Sequence, residues 1–72
     1  MEKSKCPCCG QMTLDPPLEG EICRECKWEY DIGAVRRPQK PSGCNNMLTL
    51  EQGRAIWASG RKIFDNGEYA TP

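Results

Sequence analysis

Six cysteines and no histidine define the chemistry open to this 72-residue chain. Five of the six fall into two short motifs, Cys6-Pro7-Cys8-Cys9-Gly10 and Cys23-Arg24-Glu25-Cys26-Lys27. With Cys6 and Cys9 as one pair, the pattern is C-x2-C, thirteen residues, then C-x2-C. Two thiolates three residues apart in a tight turn grip one metal ion from the same side. A second such turn closes a tetrahedral S4 site, the arrangement that Zn²⁺ prefers. Cys6, Cys9, Cys23 and Cys26 are therefore the candidate ligands of one structural zinc ion. Proline after the first ligand and glycine after the second favour Cys6 and Cys9 over Cys8, because Gly10 permits the positive φ that such a knuckle needs. Iron in a rubredoxin-like site is the variant reading, since ligand softness and tetrahedral geometry suit both metals. Zinc is preferred, because rubredoxin-like carriers are usually more acidic and more aromatic around the metal.

Four protein ligands leave no open position for water, so a closed site of this kind folds a protein and does not catalyse. The remaining residues offer little else for catalysis. Without histidine there is no Cys/His nucleophile pair. Glu25, Glu29 and Asp31 scatter around the second knuckle without the paired spacing of a hydrolase and read as surface. The chain is expected not to be an enzyme. Cys8 reads as a half-exposed thiol at the knuckle tip, with a metal-activated, redox-reactive thiol as the sharper alternative. Cys44 reads as a spare loop thiol or a small buried residue, with a Cys8–Cys44 disulfide or an alternative ligand as its sharper reading.

The elements that must position these groups are short. Gln11 to Leu14 alternates like a strand, Asp15 to Gly20 is a turn by composition, and Glu21-Ile22 leads back to the second knuckle. The thirteen-residue gap is thus expected to form a hairpin that returns the chain to the metal. Lys27 to Ile32 alternates charged with apolar residues, which predicts a strand with Trp28, Tyr30 and Ile32 on one face. Residues 34–48 read as an irregular connector. Thr49 with Gln52 three residues later is a capping box, and Glu51 suits the first turn of a helix over about residues 49–60. Gly53 and Gly60 weaken that helix by about 1 kcal/mol each relative to alanine. Asp65-Asn66-Gly67 is a stop signal, and residues 65–72 are expected to be a frayed tail. The fold class that follows is a small α+β zinc ribbon: a three-stranded antiparallel ribbon over about residues 5–33 on two knuckles, plus one C-terminal helix, as a single domain.

Composition supports a staple. A hydrophobic core alone rarely stabilises a chain below roughly 70–80 residues. This one has two Trp, two Tyr and one Phe, and its mean hydropathy is −0.71. Disulfides are the competing staple, since six is an even number and small secreted domains are disulfide-dense. However, Met1-Glu2-Lys3-Ser4-Lys5 runs into the first motif with no apolar run for a signal peptide, and no stretch approaches a membrane span. The expectation is a cytoplasmic protein whose thiols stay reduced and bind metal.

Charge bounds the partners. Ten basic residues balance ten acidic ones, and the balance holds within residues 1–40 and 41–72 separately. A Zn²⁺ on four thiolates adds a net −2, so the loaded protein lacks the basic field that phosphate binding requires. Arg36, Arg37 and Lys40 form the one compact basic cluster, read first as a solvated loop and second as a local phosphate contact. Trp28, Tyr30 and Trp57 are read first as core and second as a recognition surface.

The chain resembles the cysteine-rich CPCC family of small bacterial proteins. The residues that carry the resemblance are Cys6-Pro7-Cys8-Cys9-Gly10 and Glu21-Ile22-Cys23-Arg24-Glu25-Cys26-Lys27-Trp28-Glu29, followed by Ser42-Gly43-Cys44-Asn45-Asn46 and Leu48-Thr49-Leu50-Glu51-Gln52-Gly53-Arg54. The resemblance covers about residues 5–60. It implies a zinc-ribbon or rubredoxin-like metal fold and no particular activity. The chain departs from the pattern at Tyr30 and at Cys44. The functional expectation is a structural zinc module that serves as a non-enzymatic adaptor for a protein partner. The alternatives are a nucleic-acid-binding ribbon and a thiol-redox or electron-transfer protein.

Overall fold

The computed structural model describes residues 3–14 and 19–72. Asp15 to Leu18, the centre of the expected turn, lie outside the described residues. The elements are β1 (Ser4–Lys5), β2 (Met12–Leu14), α1 (Ile32–Arg36), a 3₁₀ turn (Gly43–Asn45), α2 (Leu50–Ala58), β3 (Phe64–Asp65) and β4 (Glu68–Tyr69).

Each knuckle sits at the tip of its own hairpin. Around the first, β1 pairs antiparallel with β2, Ser4 opposite Leu14 and Lys5 opposite Met12. Around the second, Ile22 bridges Glu29, and Tyr30 N–H donates to the Glu21 carbonyl at 2.7 Å. This corrects the expected three-stranded ribbon and its hairpin across the thirteen-residue gap. The strand over residues 11–14 pairs backward with β1, and Glu21-Ile22 pairs forward. Among the described residues, the named strands form two separate two-stranded sheets.

The two tips share one backbone solution. Gly10 N–H donates to the Cys6 carbonyl and Lys27 N–H to the Cys23 carbonyl, both at 2.9 Å. The residue after the second cysteine is left-handed in each, Gly10 at φ +79° and Lys27 at φ 72°. Glycine takes this conformation without strain, whereas Lys27 does so at a steric cost that the closed turn must offset.

The expected strand from Lys27 to Ile32 is cut short. Trp28 is buried at 1% exposure, but Ile32 is 41% exposed. The cause is Asp31, whose Oδ1 accepts from Gly33 N–H at 2.9 Å and caps α1. The cap turns the backbone helical at Ile32 and ends the period-2 alternation. The connector is likewise not irregular throughout. It holds most of α1 and a 3₁₀ turn closed by a bridge between Ser42 and Leu48. Within that turn Asn45, 1% exposed, joins the connector to the second knuckle. Its Oδ1 accepts from Glu29 N–H at 2.8 Å, and its Nδ2 donates to the Glu29 carbonyl and to Ser42 Oγ at 2.9 Å each.

Helix α2 forms where the capping box places it. Gln52 N–H donates to Thr49 Oγ1 at 3.0 Å, and Thr49 N–H donates to Gln52 Oε1 at 2.9 Å. Leu50, Gly53 and Ile56 make its buried stripe. Gly53 is where the helix meets Trp28 and Cys8. A Cβ there would stand 3.0 Å from the Trp28 ring and 3.2 Å from Cys8 Sγ. The glycine that weakens the helix in isolation lets it seat directly on Trp28. Among the described residues no acceptor meets the buried Trp28 indole N–H, so shape rather than hydrogen bonding holds this ring. Arg54 Nε donates to the Pro7 carbonyl at 2.9 Å and ties α2 to the first knuckle.

Residues 64–69 are not a frayed tail. β3 and β4 pair antiparallel, joined by Asn66 at φ 53° and Gly67 at φ 79°. Asn-Gly with both residues at positive φ is the two-residue turn that matches strand twist. The hairpin is anchored at its base, where Ile63, fully buried, donates its N–H to the Cys26 carbonyl at 2.7 Å. Phe64 and Tyr69 meet edge-to-face across it, centroids 4.7 Å apart.

Asn45→Ala is expected to destabilise the protein by about 2–4 kcal/mol, because it leaves both backbone groups of Glu29 without a partner. Thermal melts followed by Trp28 fluorescence check this. A loss no larger than that of an exposed alanine substitution such as Asn46→Ala would contradict it.

Candidate metal centre

The two hairpin tips face each other and bring four thiols together. The sulfurs of Cys6, Cys9, Cys23 and Cys26 all lie within 4.8 Å of one another. Cys6 Sγ and Cys26 Sγ are 3.7 Å apart, as are Cys9 Sγ and Cys23 Sγ. Each close pair thus takes one sulfur from each tip. A tetrahedron of sulfurs with metal–sulfur bonds of about 2.3 Å has edges of about 3.8 Å. The two short separations match that edge, and the cluster could hold one metal ion. The group is the one expected from the spacing.

Burial is uneven across the set. Cys6, Cys23 and Cys26 are 0–1% exposed, whereas Cys9 is half-buried. Cys23 also has a partner that spacing does not reveal: Thr13 Oγ1 lies 3.0 Å from its sulfur. Cys26 N–H donates to the same sulfur at 3.5 Å. Thr13 reaches it because β2 runs directly out of the first knuckle. The only sequence signal for this contact is a small hydroxyl residue at an inward strand position.

These contacts set the protonation of the metal-free cluster. The hydrogen bond with Cys26, followed by burial, holds the Cys6 thiol well above the ordinary range. For Cys26 the bond with Cys6 lowers the value, but a bond with Cys8 and burial outweigh it, and this thiol too is held high. Each of the two therefore keeps its own proton. Burial pushes Cys9 up to about 11. Burial also raises Cys23, but the Thr13 hydroxyl and the backbone N–H groups of Cys26 and Glu25 outweigh it, and the thiol falls to about 7. Crowded thiols that must stay protonated without a cation are the donor set that a soft divalent cation displaces protons from.

The other two cysteines are placed differently from each other. Cys8 is 6% exposed, not half-exposed as expected at a knuckle tip, because Gly53 of α2 closes over it. Cys44 is exposed, with Sγ 3.5 Å from Ser42 Oγ and 3.9 Å from Asp31 Oδ2. Its thiol is pushed up by burial and by Glu29 and Asp31. All six cysteines are free thiols, and the Cys8–Cys44 disulfide is not formed. Arg36, Arg37 and Lys40 are exposed at and beyond the end of α1.

The fold and the cluster define a small α+β cysteine-cluster protein able to hold one metal ion. The family model of the cysteine-rich CPCC proteins matches residues 4–60, and the chain belongs to that family. Residues 61–72, with the β3–β4 hairpin, lie beyond the matched span. No curated protein matches the chain. Among the described residues no helix is long and apolar enough to cross a membrane.

Two outcomes follow for a metal held by these thiols. Thr13→Val keeps the shape and removes the hydroxyl, and is expected to weaken metal holding about tenfold. Competition against a chromophoric chelator measures this, and unchanged affinity would contradict the role of Thr13. The second outcome concerns pH. Above about pH 7 the Cys23 proton is already gone, while Cys6, Cys9 and Cys26 keep theirs until metal displaces them. Affinity should therefore rise with pH by about three decades per unit between pH 7 and 9, and fall as acid restores the protons. A flat profile over that window would contradict the assignment.

Proposed function

We propose that the protein is a structural zinc module, non-enzymatic, that presents a rigid surface to a protein partner. The observation that carries the zinc reading is the pair of 3.7 Å sulfur separations inside a closed set of four thiols. When bound, zinc would supply cross-linking between the two tips, on the order of 10 kcal/mol of folding free energy by zinc-finger precedent. Every other role falls to the chain. Cys6 and Cys9 hold from one tip and Cys23 and Cys26 from the other, Thr13 orients Cys23, and Trp28 and α2 cover the buried side.

The adaptor reading rests on what lies beside that site. A cavity of about 510 Å³ opens between the second knuckle, the 3₁₀ turn and the C-terminal hairpin. Ile22, Phe64 and Tyr69 line it, 57%, 38% and 39% exposed, together with the polar Lys27 and Glu29. An apolar recess with a few polar groups, built on loops that a metal makes rigid, is suited to recognition.

The two other functional readings lose their supporting features. The nucleic-acid reading needed Trp28 and Tyr30 free to stack beside Arg36 and Arg37, but Trp28 is buried and Tyr30 half-buried in the core. The thiol-redox reading rested on Cys8 and Cys44 as reactive thiols. Cys8 is covered, and the thiol of Cys44 is raised.

A photo-crosslinking residue at Tyr69 tests the adaptor reading. It is expected to trap one discrete protein partner in cells, and Ile22→Asp is expected to abolish trapping while the metal content stays unchanged. Equal trapping from an exposed site away from the cavity, such as Lys40, would contradict it. The metal reading is tested by colour and cobalt. The purified protein is expected to be colourless and to take up Co²⁺ with strong thiolate absorption, whereas an intrinsic visible iron–thiolate band would move electron transfer to the front.

A further inference from the structure

The four thiols are not equivalent to a molecule arriving from solvent. Cys6, Cys23 and Cys26 are covered on every side. The Ile63 N–H donates to the Cys26 carbonyl beside the cluster. Cys9 alone is half-buried. Next to it, Gly10 is exposed, and a Cβ added there would meet nothing within 4 Å. The ground beside Cys9 is therefore open at the one place where the cluster reaches the surface. The outward chain beyond it, Gln11 and Met12, is exposed as well.

The hydrogen bonds are distributed in the same uneven way. Cys23 is held by the Thr13 hydroxyl and by the Cys26 N–H. Cys26 is contacted by Cys8 as well as by Cys6. Cys9 accepts from the Gln11 backbone N–H and has the Cys23 sulfur at 3.7 Å, with no hydroxyl partner like Thr13 among the described residues. Outer contacts of this kind restrain a ligand and slow its departure. Positive charge flanks this tip: Lys5 is exposed immediately before Cys6, and Arg54 is exposed and bonded to the Pro7 carbonyl. An S4 site with a divalent ion carries a net −2, and these cations offset part of the repulsion that an anionic thiolate or chelator would meet on approach.

We propose that Cys9 is the exchange corner of the metal centre: the ligand that leaves first when metal passes between this protein and a small thiolate-bearing or chelating acceptor. The proposal rests on the zinc reading above. In the exchange, a bond from the acceptor's donor atom to the ion forms and the bond from Cys9 Sγ breaks. Cys9 departs as a thiolate and is protonated by solvent, with no change of oxidation state. Cys6, Cys23 and Cys26 hold the ion until further donor atoms of the acceptor replace them. A site closed by count of ligands is thus open to attack at one vertex, and its metal can be handed over without unfolding the core.

The test uses the intact zinc-loaded protein, with iodoacetamide as the alkylating probe and 4-(2-pyridylazo)resorcinol as the acceptor. Native mass spectrometry first establishes the zinc content. Cys44, exposed and outside the cluster, should react at the same rate with or without metal and serves as the internal standard. Among the four ligands, Cys9 is expected to be modified at least about tenfold faster than Cys6, Cys23 or Cys26, in step with zinc release. Zinc transfer to the chelator should rise in proportion to chelator concentration, as attack on the loaded cluster requires. Modification of all four cysteines at one rate, or transfer independent of chelator concentration, would overturn the proposal by showing that the whole fold opens first. A protein without zinc at the outset would overturn the metal reading itself, and the proposal with it.

Discussion

The convergence of two hairpin tips on one set of four sulfurs is the constraint on which the rest of the structure depends. β1 and β2 are two and three residues long, and the second knuckle is closed by a bridge between single residues. Hairpins this short are marginal in water on their own. What fixes them relative to each other is the cluster. Cys6, Cys23 and Cys26 are themselves among the most buried residues of the protein. Without a cation this centre packs two thiols that resist ionisation, Cys6 and Cys26, 3.7 Å apart. With one, the same crowding becomes coordination.

The apolar core is arranged around this centre rather than apart from it. Trp28, the largest fully buried side chain, follows two residues after Cys26 and lies between the second knuckle and α2. Gly53 allows the helix to reach it. The C-terminal hairpin is hung from the same knuckle through the bond from Ile63 to Cys26. The connector is locked to the next position of that hairpin by Asn45 and Glu29. Three parts of the chain, α2, the C-terminal hairpin and the connector, thus take their place from the segment Cys23 to Glu29. The recess beside the cysteine cluster is lined by Phe64 and Tyr69, residues beyond the span shared with the family.

What was legible in the sequence divides by range. The four cysteines were legible because ligand spacing is a local pattern with one geometric solution. The capping box of α2 was legible for the same reason, since Thr49 and Gln52 satisfy each other within one turn. Hairpin pairing was not. The strand over residues 11–14 has two possible partners, and only tertiary closure selects β1. The polar roles were hidden as well. Thr13 and Asn45 look like surface residues until the strand they sit on, or the turn that holds them, is folded against its neighbour. The β3–β4 hairpin carried a readable signal in Asn66-Gly67, but the same residues also fit a chain terminus that stops folding. The deciding fact is the burial of Ile63 and its bond to Cys26 of the second knuckle, a long-range contact.

The central claim is that one zinc ion, held by Cys6, Cys9, Cys23 and Cys26, keeps the two tips and the Trp28 core together. The most direct measurement is near-ultraviolet circular dichroism of a Trp57→Phe variant, in which Trp28 is the one tryptophan, taken on protein whose native mass shows its metal, before and after removal of that metal under reducing conditions. The account predicts one zinc per chain, loss of the tryptophan signal when it is removed, and full recovery on adding back one equivalent. A metal-free, reduced chain that keeps the same signal and the same thermal transition would contradict it.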